Sequence, residues 1–186
     1  MKNLIVDLLE AEPSFSSILR EIERWVLNDA DPIRILTNIA SLVGNQFRCD
    51  ACSIYLLDPD TELLTLAGTV GLHQECVGEI RMARHEGLTG LVAQSGAPVV
   101  VRSAASQHPR FRYFPDAGED LFDSFLGVPI QNASGMIGVL VLQTFETAEF
   151  TNEDVERMLD TGRRLGPELT PLITDAFANL STALSD

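Results

Sequence analysis

The stretch Phe125-Leu-Gly-Val-Pro-Ile-Gln-Asn-Ala-Ser-Gly-Met-Ile-Gly-Val-Leu-Val-Leu-Gln-Thr144 decides the fold. Two apolar runs, residues 125–131 and 136–144, flank Asn132-Ala-Ser-Gly135, a cluster of turn formers. Apolar runs on either side of such a cluster make a β-hairpin, whose strands pair antiparallel. Asn132-Ala-Ser134 also spells a glycosylation acceptor, read here only as a turn. A second hairpin lies upstream: Ala51–Leu57, the turn Asp58-Pro59-Asp60-Thr61, and a return strand Leu63–Val70 closed by Gly71. Between the hairpins come a short strand at 80–82, a short helix at 87–94 stopped by Gly96, and a short strand at 98–102.

Helices flank this β region. Phe15, Ile18, Leu19, Ile22, Trp25 and Val26 recur at helical spacing, with Ser14 or Ser16 as a cap. Asp31-Pro32 opens a second helix as N-cap and first residue, with Ile33, Leu36, Ile39, Ala40, Val43 and Phe47 on one face. Gly44-Asn45 is its weak point. After the last strand, Thr151 and Asp154 form a capping box for a helix carrying Val155, Met158, Leu159 and Leu165. Gly166-Pro167 and Pro171 are expected to kink or interrupt that helix before residues 172–184 resume it. Adjacent hairpins favour an antiparallel sheet, and long helices at both ends favour a layered α+β domain.

The length of 186 residues suits one domain, and 45% hydrophobic with 22% charged residues is the composition of a folded one. With 13 basic against 27 acidic residues the net charge is −14, which repels phosphate backbones and argues against nucleic-acid binding. No apolar run approaches the ~18–20 residues of a membrane span. The N-terminus lacks the pattern of a signal peptide, and three cysteines do not make a disulfide framework. A soluble cytoplasmic domain with reduced thiols is expected.

Cys49-x-x-Cys52 and His73-x-x-Cys76 have zinc-like spacing. If the first strand extends back to position 49, however, Cys49 and Cys52 point to opposite faces, and both are read as buried small hydrophobes. A redox Cys-x-x-Cys belongs at a helix N-terminus after a strand. No metal and no cofactor are therefore expected. His73, His85 and His108 are scattered, and the glycines near 87–90 lack the Lys-Ser/Thr pair of a phosphate loop. No catalytic set is recognisable.

Charge distribution says more. Residues 81–115 hold five arginines (81, 84, 102, 110 and 112) and one acid, Glu86. This is either a wall that captures an anion or a segment neutralised by the acids that follow, Asp116, Glu119, Asp120 and Asp123. Phe111, Tyr113, Phe114, Phe122 and Phe125 interleave with it. Residues 103–123 show no apolar period, so they form a long loop. Its aromatics make it either a lid over a ligand cavity or a loop anchored to the sheet.

Five ordered motifs together resemble a known family, the GAF domains. They are Asp50-Ala-Cys-Ser-Ile-Tyr-Leu-Leu-Asp58, Glu86-Gly-Leu-Thr-Gly-Leu-Val-Ala93, His108-Pro-Arg-Phe-Arg-Tyr-Phe-Pro115, Ser124-Phe-Leu-Gly-Val-Pro-Ile130 and Gly138-Val-Leu-Val-Leu-Gln143. Within GAF domains they resemble those at the N-terminus of nitrogen-branch phosphoenolpyruvate–protein phosphotransferases. The resemblance divides the chain into an N-terminal extension (1–17), a GAF domain (18–165) and a kinked helical tail (166–186). It implies a central antiparallel sheet with the N- and C-terminal helices packed on one face, a ligand cavity under the long loop on the other, and a homodimer through the terminal helices, whose apolar stripes at 15–47 and 155–180 would suit pairing. It also implies a nitrogen-status sensor for a glutamine- or 2-oxoglutarate-type metabolite, signalling to a downstream protein. The phosphotransferase domains are absent from residues 1–186, so this chain is expected not to be an enzyme. The Asn-Lys-Phe pattern of cyclic-nucleotide GAF domains is missing, and no cysteine follows position 76 for bilin attachment.

The candidate ligand site is Arg110 for the anionic group, Phe111, Tyr113, Phe122 and Phe125 as walls, and the Ser124 hydroxyl as a polar contact. Two alternatives stand beside it. One is a ligand-free dimerisation module. The other is a GAF-type free methionine sulfoxide reductase, whose reactive thiols fall in the ligand-loop region, where this chain has none.

Overall fold

A computed structural model describes residues 15–28, 31–118, 122–147 and 150–182. The decisive hairpin is present as β5 (Ser124–Asn132) and β6 (Gly135–Thr144), paired from Ser124↔Thr144 to Asn132↔Gly135. Its turn is closed by the Ser134 amide donating to Asn132 Oδ1 at 2.8 Å. The second hairpin is β1 (Ala51–Leu57) with β2 (Leu63–Val70). β1 also pairs with β6, so both hairpins share one sheet. With β3 (Arg81–Ala83) and β4 (Val99–Val101) at the edges, the order is β3-β2-β1-β6-β5-β4, antiparallel throughout.

Strand alternation divides the sheet into two faces. Cys52, Ile54, Leu56, Leu126, Val128, Ile130, Leu140 and Leu142 face a layer of helices. That layer contains α1 (Phe15–Asn28), α2 (Pro32–Phe47), α4 (Asn152–Leu169) and α5 (Ile173–Thr182). Ala51, Tyr55, Leu64, Leu66, Val139 and Val141 face the other way, toward α3 (Gly87–Ser95) and the long loop.

Much of the terminal stripes packs into the chain's own core. Ile18, Ile22, Ile39 and Val43 at one end, and Met158, Leu165, Leu169, Leu172, Ala176 and Leu180 at the other, are buried in one intramolecular core. The reason is that the sheet has a whole apolar face to cover. Among the described side chains of α1, Leu27 is an exposed large hydrophobic, at 83%.

Two helix boundaries differ from expectation. α2 passes through Gly44-Asn45 and ends at Phe47, capped by Arg48 in the left-handed region. Gly44 serves packing instead: a Cβ there would lie 3.2 Å from Cys52 Cβ. α4 passes through Gly166-Pro167, and the break falls at a 3-10 turn, Thr170–Leu172, which holds Pro171. The side chains of Ser14 and Ser16, and residues 183–184, lie outside the described residues. Asp31 caps α2 as expected, accepting from the Ile33 and Arg34 amides.

The capping box at α4 is complete. Thr151 Oγ1 accepts from the Asp154 amide at 3.2 Å, and Asp154 Oδ2 accepts from the Thr151 hydroxyl and amide at 2.7 and 2.9 Å. The Thr151 hydroxyl, then its amide, hold the Asp154 carboxyl below its ordinary value. A depressed folded value means the contribution is present above the unfolded value, about 3.9, and is lost as pH falls through the folded one. Asp154→Ala is expected to cost about 1 kcal/mol at pH 7. The gap from the parent protein should close as pH falls below 4 in thermal melts, and a constant gap would contradict this account.

Candidate functional site

A small pocket on the open face of the sheet is built where α3 starts. Its lining is Met82 from β3, Gly87, Leu88 and Thr89 from α3, Phe111, Arg112 and Phe114 from the loop, and Phe125 and Gln143 from β5 and β6. The cavity they leave is about 20 Å³, room for a water molecule and not for a metabolite. Its position matches the expected ligand face. Its size does not match a preformed cavity, because the loop's own side chains fill the space.

Polar groups nevertheless converge there. Gln143 shares a strand face with Val139 and Val141 and is only 4% exposed. Its carboxamide opens into the pocket, as does the Thr89 hydroxyl; among the described residues the buried side-chain polar atom left without a partner is Gln46 Oε1, which is not part of this site. The first turn of α3 has no side-chain cap. Glu86 occupies the N-cap position, but its carboxylate instead accepts from the Ala83 amide at 2.8 Å and pairs with Arg112. The Ala83 amide foremost, and Arg112 besides, hold the Glu86 carboxyl below its ordinary value. A helix N-terminus beside an arginine and a pocket-lining carboxamide suits a ligand with an anionic group and hydrogen-bonding atoms.

The arginine-rich segment is bonded internally. Arg81 donates to Gly78 O, Arg84 pairs with Glu62, Arg102 donates to Phe150 O, and Arg110 donates to His85 O at 2.6 Å and to Gln94 Oε1. Described acids of the following stretch are used elsewhere: Asp123 accepts from the Ala104 amide and the Thr147 hydroxyl. Neutralisation therefore runs through Glu62, Glu86 and backbone carbonyls.

Of the six residues proposed from sequence, Phe111 and Phe125 line the pocket. Arg110 is turned onto α3, and Tyr113 is 52% exposed. Phe122 is buried and stacks on Phe145, ring centroids 4.8 Å apart. Ser124 hydrogen-bonds the Thr144 hydroxyl. The residues that sequence reasoning left out of the site are Met82, Gly87, Leu88, Thr89, Arg112, Phe114 and Gln143. Gln143 did carry a signal: it is the polar member of an apolar alternate row in the clearest strand of the chain.

The cysteines occupy two faces. β1 begins at Ala51, so Cys49 lies outside the strand and the odd-step argument does not apply to it. Cys49 and Cys52 both flank Gly44 on the helical side. Burial pushes the Cys49 thiol up to about 12 and the Cys52 thiol well above its ordinary value, so both stay protonated at neutral pH and are poor nucleophiles or metal ligands. Cys76 lies on the other face and donates to Asp116 O at 3.2 Å. His73 donates to the same carbonyl at 2.7 Å. No helix among the described residues is long and apolar enough to cross a membrane.

Known proteins resemble this chain in sequence and fold. A phosphoenolpyruvate-dependent phosphotransferase system protein of Escherichia coli (strain K12) is 37% identical over 117 residues, 60% of this chain and 15% of its own length. The chain thus spans a small part of that relative. The GAF domain from a phosphoenolpyruvate-protein phosphotransferase of Coxiella burnetii superposes with a TM-score of 0.73 at 28% identity, covering 86% of this chain and 95% of that one. Free methionine-R-sulfoxide reductase from Neisseria meningitidis, solved with its substrate, shares the fold at TM-score 0.66 and 24% identity, covering 87% and 91%. The GAF domain family model matches residues 31–169, and with the six-stranded antiparallel sheet and its helical layer this shows that the chain belongs to the GAF domain family.

Proposed function

We propose that this chain is a regulatory sensor domain for a small anionic or zwitterionic metabolite of the glutamine or 2-oxoglutarate type. The metabolite would sit between α3, residues 108–117 and the open sheet face, with Phe111 and Phe114 withdrawing to admit it. The observation that carries this reading is the convergence of the Gln143 carboxamide, an uncapped helix start and Arg112 on one pocket. A ligand that hydrogen-bonds these groups replaces the water they meet in the pocket. In this reading the domain works in the cytoplasm as a homodimer through its terminal helices and reports nitrogen status to a downstream protein. The alternative of a ligand-free interaction module draws on the 20 Å³ cavity. The reductase alternative draws on the shared fold and is opposed by the protonated, helix-side Cys49 and Cys52.

The test is thermal unfolding of the parent and of Gln143→Leu with glutamine, glutamate, 2-oxoglutarate, phosphoenolpyruvate, cyclic nucleotides and methionine sulfoxide. Ligand at a hundred times its Kd adds ~2.7 kcal/mol, or roughly 5–10 °C. Without ligand, Gln143→Leu should stay within about 1 kcal/mol of the parent in stability, because its carboxamide reaches the pocket and is not sealed in the core. With ligand it should lose about 1–3 kcal/mol of binding. A flat response across the panel at millimolar concentrations would favour the interaction module. Turnover of methionine sulfoxide that fails when the cysteines are replaced would establish the reductase.

A further inference from the structure

Residues 108–117 cross the mouth of the pocket and are fastened at both ends. At one end Arg110 bonds His85 O, and Arg112 pairs with Glu86 while its guanidinium lies 5.0 Å from the centre of the Phe114 ring. At the other end the Asp116 carbonyl accepts from both His73 and Cys76, and Ala117 is buried. Phe111, Arg112 and Phe114 supply the pocket's outer wall, so this segment is what keeps the cavity small.

The fastenings are unequal in kind. Among those named, Glu86–Arg112 is the ion pair, and its two side chains are 40% and 39% exposed, where water and salt compete with it. Glu86 also keeps the Ala83 amide, so its carboxylate retains a partner when Arg112 departs. Arg112 covers Phe114, so moving one moves the other. From this geometry we infer that the Glu86–Arg112 pair is the latch of a lid formed by residues 108–117, and that an anionic group entering the pocket opens it by taking Arg112 away from Glu86. The second half of that statement rests on the ligand reading given above. Arg112 is then the residue that selects for negative charge, and a neutral compound of the same shape leaves the latch closed.

Hydrogen–deuterium exchange with peptide-level mass spectrometry tests this on the full chain. Glu86→Gln keeps an oxygen for the Ala83 amide and removes the ion pair. Arg112→Gln leaves the Glu86–Ala83 bond untouched, and it decides the matter if Glu86→Gln loosens the whole domain. Peptides covering 108–117 and 86–90 should exchange about two- to fivefold faster in either variant, the size expected for an exposed ion pair, while α2 keeps its parent rate. Raising sodium chloride to molar concentration should reproduce the effect in the parent and add nothing in the variants. Parent exchange rates over 108–117 in Arg112→Gln would overturn the latch. Millimolar L-glutamine and 2-oxoglutarate serve as probes for the second half and should alter exchange over 108–117 in the parent. A latch that responds to substitution but to neither probe overturns the partner exchange and the ligand reading, while the latch stands.

Discussion

Gly166→Ala is expected to destabilise the protein by about 3 kcal/mol, against the direction that helix propensity alone predicts. Alanine in the middle of a helix is favoured over glycine by roughly 0.8–1 kcal/mol. At position 166 the packing argument opposes this and wins. α4 crosses β5 so closely that a Cβ on residue 166 would lie 1.7 Å from Gln131 O, a backbone atom that cannot rotate away. One turn earlier, a Cβ on Gly162 would lie 2.5 Å from Pro129 O. The helix would have to retreat from the strand by about an ångström or more, loosening Leu165 and Leu169 in the core and the Asn132–Thr170 bond at 2.9 Å. For a domain of this length the loss corresponds to a Tm roughly 6–12 °C lower. An alanine variant that melts at or above the parent temperature would refute the close crossing of α4 and β5.

Leu36→Ala should cost about 4 kcal/mol, in the upper part of the range for a buried leucine. Leu36 is fully buried on α2. What sets the size is how little the site can collapse. α2 already touches β2 at Gly68, where a Cβ would lie 2.6 Å from the Leu36 carbonyl carbon and 2.8 Å from the Thr37 nitrogen. The helix backbone cannot approach further to fill the space left by the leucine. Urea titration should show a lower midpoint with an unchanged slope, the sign of lost native stability without a change in surface exposed. A cost under 1 kcal/mol would mean that α2 slides and that the Gly68 contact does not fix it.

The elements were legible because their patterns are local. Ala51–Leu57 and Leu63–Val70 can be read from strand composition and the Asp58-Pro59 turn, and the structure has those same bounds. The helix N-caps at Asp31 and Thr151 follow from short-range chemistry in the same way. What local pattern could not supply is the reason a glycine stands where it does. Gly44 and Gly166 read as helix breakers, and both are contact points where another element comes close. Pro167 likewise reads as a stop, although α4 continues through it. The pocket was legible as a region and not as a list of side chains. Arg110 and Arg112 are two residues apart in an irregular segment, with no period to say which faces inward. Only the fold brings Gln143 and Thr89 to the same small space as Phe111.

The sheet separates the pocket from the helical layer, and Trp25 lies on the helical side, half-buried against that core. It is the sole tryptophan of the chain. A compound seated between α3 and β6 cannot touch its indole, so quenching by direct contact is ruled out by geometry. A change in emission caused by a compound held at that site has travelled through the sheet and then through α2 or α4, the helices on which α1 packs. The chain carries a built-in fluorophore placed to register transmission rather than occupancy.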